Sequence, residues 1–263
     1  MRTKLIAGNW KMNLTAVQGA AIVEELTRVS APREDVDVAV CPPYLSIPRV
    51  HEVTRRSSVK LGAQDVFWME EGAYTGQVSA RQLYEYGCDF CIVGHSERRG
   101  RFGTLEIPES TLGYFGETNE TINLKLKALL YHGITPILCV GETAAEREAG
   151  EIESVIRHQV LQALHDIDAA ELYSLVVAYE PVWAIGTGNV CDAEEANRVC
   201  AQIRSFVAMA ADAEVAENVR VLYGGSVKAS NAAELFAQSD IDGGLVGGAS
   251  LDVVGFAEIV GHA

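Results

Sequence analysis

The chain is short of positive charge. Its 263 residues carry 21 Lys and Arg against 36 Asp and Glu, a formal net charge of -15. That balance argues against nucleic acid and against anionic membranes as partners. An anionic ligand would need a few local donors that overcome the overall field. Long apolar runs are also missing. None approaches the roughly 18 residues of a membrane span, although 48% of the residues are hydrophobic, enough for a sizeable core. The N-terminal MRTKLIAGNWK lacks the apolar stretch of a secretory leader. Cysteine is sparse: six residues, at 41, 88, 91, 139, 191 and 200, mostly inside apolar runs. This suits reduced core thiols of a cytoplasmic protein better than a disulfide framework. Cys88 and Cys91 form a CxxC, but three residues apart in an expected strand they would point to opposite faces, and no second pair completes a zinc site. No linker or low-complexity tract divides residues 1–263, so a single domain is expected. Nucleotide fingerprints are absent too. GGSVK at 224–228 lacks Walker spacing, and GTG at 186–188 lacks a third dinucleotide glycine.

What is present is an alternation. Short, β-rich apolar runs occur at Lys4–Ala7, Val36–Cys41, Val59–Ala63, Phe90–Val93, Ile134–Val140, Leu175–Tyr179, Val219–Tyr223 and Gly244–Val246. Helical patterns lie between them, clearest at Thr15–Val29, Glu117–Tyr131, Glu151–Asp166 and Ala193–Met209, the last opened by an Asp192/Glu195 capping-box variant. Eight strand signals separated by helices predict an α/β fold, a (β/α)8 barrel of eight parallel strands inside a ring of helices. A doubly wound sheet is the alternative.

Barrel chemistry sits at the C-terminal ends of the strands. There the sequence places Asn9 and Lys11 after the first strand, His95 after the fourth, Glu180 after the sixth, Gly224-Gly225-Ser226 after the seventh and Gly247-Gly248 after the eighth. Taken singly, these residues are unremarkable: a lone lysine is usually a solvated charge, and a glycine pair usually marks a turn. Collected at the strand ends of one barrel, they form a set. Backbone N–H groups at glycine turns bind phosphate oxygens. A carboxylate, an imidazole and an ammonium together suit proton abstraction next to a carbonyl. Glu180 is followed by an apolar segment ending in Gly186-Thr187-Gly188, the layout of a base beneath a hinged, water-excluding lid.

The segments GNWKMN, AYTG, GHSERR, AYEPVWAIGTG, YGGSV and LVGGASL resemble, in order and spacing, the signatures of the triosephosphate isomerase family, over essentially the whole chain. Enzymes of that family are themselves a standard example of pKa tuning and lid closure. The resemblance implies that Glu180 shuttles a proton between adjacent carbons. It implies that His95, kept neutral by a short helix start at Ser96-Glu97-Arg98, polarises the carbonyl. Lys11 and Asn9 would stabilise negative charge, with Glu97 in support. Gly186, Ser226, Gly247 and Gly248 would hold the phosphate. Val182, Trp183, Ala184, Ile185, Gly186 and Thr187 would form the lid. Neither metal nor organic cofactor is implied. A small anionic sugar phosphate would be the substrate, and Thr75, in the protruding Gly72–Gly76 loop, would meet a second copy in a homodimer.

Two departures from the family pattern stand out. Asp65 and Gln77 occupy positions where the family usually has Asn and Glu. Gln77 removes a carboxylate that would pair with the arginine matching Arg98, although an amide still accepts a hydrogen bond with less charge assistance. The Phe-Gly of the family also occurs twice, at 102–103 and 115–116, so about thirteen residues, 104–116, are extra. Their Gly, Pro, Ser and Thr predict a surface loop remote from the chemistry. Two alternative functions remain at this stage: an isomerase of a four-carbon ketose phosphate using the same machinery, and a catalytically silent barrel serving as a binding protein.

Overall fold

The structure is a computed structural model, describing residues 2–30, 32–104 and 106–263. Eight strands, β1 (Lys4–Asn9), β2 (Val36–Cys41), β3 (Lys60–Ala63), β4 (Phe90–Val93), β5 (Thr135–Val140), β6 (Val176–Tyr179), β7 (Arg220–Tyr223) and β8 (Gly243–Val246), close into one all-parallel barrel in sequence order. β1 completes the closure by pairing with both β2 and β8. Among the described residues ten α-helices accompany them: α1 (Ala16–Val29), α2 (Ile47–Thr54), α3 (Ala80–Glu85), α4 (Asn119–Tyr131), α5 (Ala144–Glu148), α6 (Ile152–Ala163), α7 (Ala193–Ala210), α8 (Ala213–Asn218), α9 (Ala229–Phe236) and α10 (Val253–Gly261).

The two-residue period of the strands divides the core into two layers. Leu5, Ala7, Phe90, Ile92, Ile137, Cys139, Val176 and Ala178 fill the barrel interior. Their alternates, among them Ile6, Cys91, Val93, Leu138, Val177 and Val221, pack outward against the helices. Cys88 precedes β4 instead of lying in it, so the expectation that it and Cys91 face opposite ways fails, and both thiols sit in the outer layer. All six cysteines are free and buried.

Several helix starts are set by local capping. Thr15, Ser79, Thr118 and Thr143 each accept an N–H three residues on, and the residue at that position bonds back. Asp192 caps α7 without the reciprocal half of the box, because the Glu195 carboxylate is taken by Arg147 and Arg198. α4 begins later than its pattern predicts, because Glu117 is drawn away to Gly94 and Lys125. α6 ends at Ala163, before Asp166, whose φ of +52° cannot continue a helix.

The extra segment 104–116 contains a helical turn, Glu109–Tyr114, and Phe115 stacks edge-on against Phe102 at 5.5 Å. Leu105 lies outside the described residues. The segment lies on the surface, as its composition predicts, with none of its described residues buried. Thr104 Oγ1 lies 3.4 Å from the Gly186 carbonyl, which accepts its hydrogen bond. A Cβ on Gly103 would fall 2.2 Å from the Ile185 carbonyl oxygen and 2.6 Å from that of Val182. Gly103 and Thr104, where the segment begins, therefore lie directly against the expected lid.

Candidate active site

Glu180 is the first residue past β6 and is almost completely buried, at 2% exposure. Its Oε2 accepts the Ser96 N–H at 2.9 Å. Its Oε1 lies 2.8 Å from His95 Nε2, out of line for a hydrogen bond, and has no hydrogen-bond partner. A buried carboxylate oxygen without a donor is costly in a folded protein and needs a functional explanation.

His95 is also buried. Its Nδ1 accepts the Glu97 N–H at 3.2 Å, so the ring proton of the neutral form sits on Nε2, facing Glu180. Burial alone would lower the imidazole pKa, but the adjacent Glu180 carboxylate outweighs it and the net direction is up. Burial would likewise raise Glu180, but His95 outweighs it and the carboxyl is held below its ordinary value. The expected helix start at Ser96–Arg98 is a run of tight turns, with Arg98 N–H donating to the His95 carbonyl at 2.8 Å.

Lys11 reaches the site from β1 through an unusual backbone. Its φ is +51°, a conformation non-glycine residues rarely adopt. Asn9 braces it, its Oδ1 accepting the Lys11 N–H at 3.0 Å, and Gln64 Nε2 donates to the Lys11 carbonyl at 2.8 Å. The ammonium rests 2.5 Å from Glu97 Oε1.

These groups open into one pocket of about 350 Å³. It brings together Asn9, Lys11, His95, Glu180, Gly186, Ser226, Gly247 and Gly248, every residue the sequence suggested for catalysis or substrate binding. Gly224, Gly225 and Lys228 add to the same wall. Glu97 instead lines a neighbouring cleft with Lys11, His95 and Arg98. Thr75 stands apart, exposed in its loop. Among the described residues, no cluster of three or more His, Cys, Asp or Glu is disposed to hold a metal ion.

The segment expected to form a lid begins as a helical turn, Val182–Ala184. Trp183 Nε1 donates to Glu142 Oε1 at 2.7 Å, Tyr179 Oη donates to the same oxygen at 3.0 Å, and the Arg147 guanidinium lies over the indole at 4.4 Å. Burial raises the pKa of Glu142, against these donors. Sequence reasoning missed Glu142. The signal was available, since it follows β5 by two residues and so falls in the strand-end set that yielded the other groups. Asp65, Lys125 and Glu117 were missed as a unit. The carboxylate lost at Gln77 has a counterpart in Asp65, whose Oδ2 lies 3.0 Å from Arg98 Nη2.

A family model described as triosephosphate isomerase matches residues 4–263. Curated relatives named triosephosphate isomerase match over nearly full length. That of Trichlorobacter lovleyi is 47% identical over 260 residues, covering 99% of this chain and 98% of its own. That of Clostridium tetani is 45% identical, covering 100% and 97%, and that of Picosynechococcus sp. is 46% identical, covering 100% of both.

Proposed function

Because the chain belongs to the triosephosphate isomerase family, we propose that it interconverts dihydroxyacetone phosphate and D-glyceraldehyde 3-phosphate through a cis-enediolate, as a step of glycolysis and gluconeogenesis. The observation that carries this reading is Glu180 Oε1, buried, without a hydrogen-bond donor, and 2.8 Å from the His95 ring. A carboxylate so placed is a base held ready for a proton on carbon.

In this mechanism, substrate enters between Glu180 and His95. Glu180 removes a proton from the carbon beside the carbonyl, and His95 Nε2–H donates to the carbonyl oxygen. Lys11 leaves Glu97 to balance the enediolate and the phosphate. The proton returns from Glu180 to the neighbouring carbon. Backbone N–H groups at Gly186, Ser226, Gly247 and Gly248 hold the phosphate, the last two where a short helical turn, Gly248–Leu251, begins. Closure of Val182–Thr187 excludes water, which would otherwise favour loss of phosphate from the enediolate. Glu142, Arg147 and Tyr179 anchor the Trp183 end of that segment. The chemistry needs no organic cofactor or metal.

We read the 263 residues as one barrel domain working in the cytoplasm as a homodimer. No helix among the described residues is long and apolar enough to cross a membrane. The dimer reading is supported by the second cleft, which is lined by Lys11, Met12, Pro43, Tyr44 and His95. Met12 beside it is 95% exposed. An apolar rim next to a catalytic lysine suits a second copy's Gly72–Gly76 loop, with Thr75 at its tip. Sedimentation at micromolar concentration should show a dimer or larger, and a fully active monomer would contradict this.

The experiment that tests the function is a coupled assay in both directions with the two triose phosphates, run beside a four-carbon ketose phosphate. Turnover of the trioses with much weaker turnover of the larger sugar is the expected result. Preference for the larger sugar would move the substrate class. Binding without turnover would make the barrel a binding protein.

A further inference from the structure

Lys125, on α4, carries its charge almost out of water, at 6% side-chain exposure. Such a cation is tolerated only where carboxylates match it. Two do. Its Nζ lies 2.5 Å from Asp65 Oδ1 and also bonds Glu117 Oε1. Each acid then reaches onward with its second oxygen. Glu117 Oε2 accepts the Gly94 N–H at 3.0 Å. Asp65 Oδ2 lies 3.0 Å from Arg98 Nη2.

Gly94 is the residue before His95, and Arg98 is three residues after it. The linked groups Gly94, Glu117, Lys125, Asp65 and Arg98 thus connect the backbone on one flank of His95 to the side chain on the other. The Glu117 N–H also donates to the Arg98 carbonyl at 3.2 Å, closing the brace. Within the brace Lys125 and Arg98 are matched by Asp65 and Glu117, and the partly buried Arg99, which donates to the Gly94 carbonyl at 2.6 Å, adds a further cation beside Glu117. With Asp65 replaced by Asn, Lys125 and Arg98 would be left with Glu117 as their one carboxylate, and the amide oxygen would accept from the more deeply buried Lys125 without charge assistance. The natural relaxation is a shift of Arg98 and its loop toward water, which carries the His95 ring with it.

We propose that Asp65 is a positioning residue for His95, acting through Lys125 and Arg98 without touching substrate. This rests on the reading of His95 as the group that polarises the carbonyl. Gln77 lines the same cleft as Asp65 and Arg98. A carboxylate placed there would offer Arg98 a substitute partner and restore the charge balance.

The test compares the wild type, Asp65→Asn, the double variant Asp65→Asn/Gln77→Glu, and His95→Gln in steady-state kinetics with dihydroxyacetone phosphate. Asp65→Asn should lower kcat about tenfold, less than the roughly 100-fold loss a full 1 Å misplacement can bring, while KM stays within about twofold. The double variant should recover kcat to within about threefold of wild type. A merely structural aspartate would give no such split and no rescue from a different position. Wild-type kcat in Asp65→Asn, or a folded double variant as slow as the single one, overturns the proposal. If Asp65→Asn does not fold, the double variant decides: folded and active supports the proposal, and unfolded or inactive overturns it. His95→Gln separates the two readings. Wild-type turnover there overturns the role of His95 itself, whereas a crippled His95→Gln beside an unaffected Asp65→Asn overturns only the role of Asp65.

Discussion

The two ends of the barrel treat buried charge differently. At the N-terminal end, where the strands begin, Arg204 donates to the carbonyls of Ala216 and Val219, both at 2.7 Å, and pairs with Asp240 and Asp242. Asp242 in turn accepts from Arg2 at 2.7 Å and from the Val221 N–H at 2.9 Å. At the C-terminal end the bookkeeping does not close. Among the described residues, the buried side-chain polar atoms without a partner are Trp10 Nε1, Arg98 Nε, Arg101 Nε, Glu142 Oε2 and Glu180 Oε1. All five follow the C-terminal ends of β1, β4, β5 or β6. Lys11, with its left-handed backbone, is at that end as well. The N-terminal cluster is closed on itself, whereas the C-terminal end, beside the paired Lys125, Asp65 and Glu117, keeps polar atoms without partners around the candidate site.

The contrast breaks if charges at the two ends fail in the same way. The largest expected effect is at the N-terminal end. Arg204→Ala leaves Asp242 and two carbonyls under-satisfied and should cost about 3–5 kcal/mol of stability. Thermal unfolding should register it as a drop on the order of 10 °C, while kcat at 25 °C stays near wild type. A large loss of kcat with unchanged melting would reverse the assignment of the two ends.

Glu180→Asp should do the opposite. Shortening the base misplaces its carboxylate by about 1 Å, which can cost on the order of 100-fold. The loss should fall on kcat far more than on KM, with melting at or above the wild-type value. Wild-type turnover would mean that another residue is the base.

A pH profile sharpens the comparison within the site. His95 is the group that holds Glu180 below its ordinary value against burial. Replacing it with Gln removes that attraction and leaves burial opposed only by the Ser96 N–H and Lys11, so the carboxyl pKa rises. The base works only when deprotonated, so the acid limb of kcat/KM should move to higher pH in His95→Gln. A limb that stays put or moves down would show that the two groups are not coupled.

Smaller still is the expected effect of the extra segment. Joining Gly103 to Glu117 removes the helical turn and the Thr104 bond to the lid. The deleted residues bring no cation to the pocket, so kcat/KM should change less than about tenfold, or under roughly 1.4 kcal/mol. A folded dimer slowed more than about 100-fold would give the segment a catalytic role.

How much of this was legible in the sequence follows from the range of each signal. Strand runs and caps are local, so the barrel and its order were readable, and several strand boundaries agree to the residue. Glu180, His95 and Lys11 were readable because strand ends are marked by where apolar runs stop, and because the family's motifs cover them. The partnerships were not readable. Asp65 meets Lys125 across 60 residues and Thr104 meets Gly186 across 82, and no local pattern encodes such pairs. Composition placed the extra segment on the surface but not against its neighbour for the same reason: Gly, Pro, Ser and Thr announce a loop but not what the loop lies against.

The central claim is that Glu180 moves a proton between adjacent carbons. Isomerisation of dihydroxyacetone phosphate in D2O, followed by NMR of the product, tests it most directly. A carboxyl that has taken a proton from carbon exchanges it with solvent during part of its turnovers. The account therefore predicts deuterium at C2 of the glyceraldehyde 3-phosphate formed, and loss of both label and turnover in Glu180→Gln. Product formed with no deuterium at that carbon, together with turnover that persists in Glu180→Gln, would contradict it.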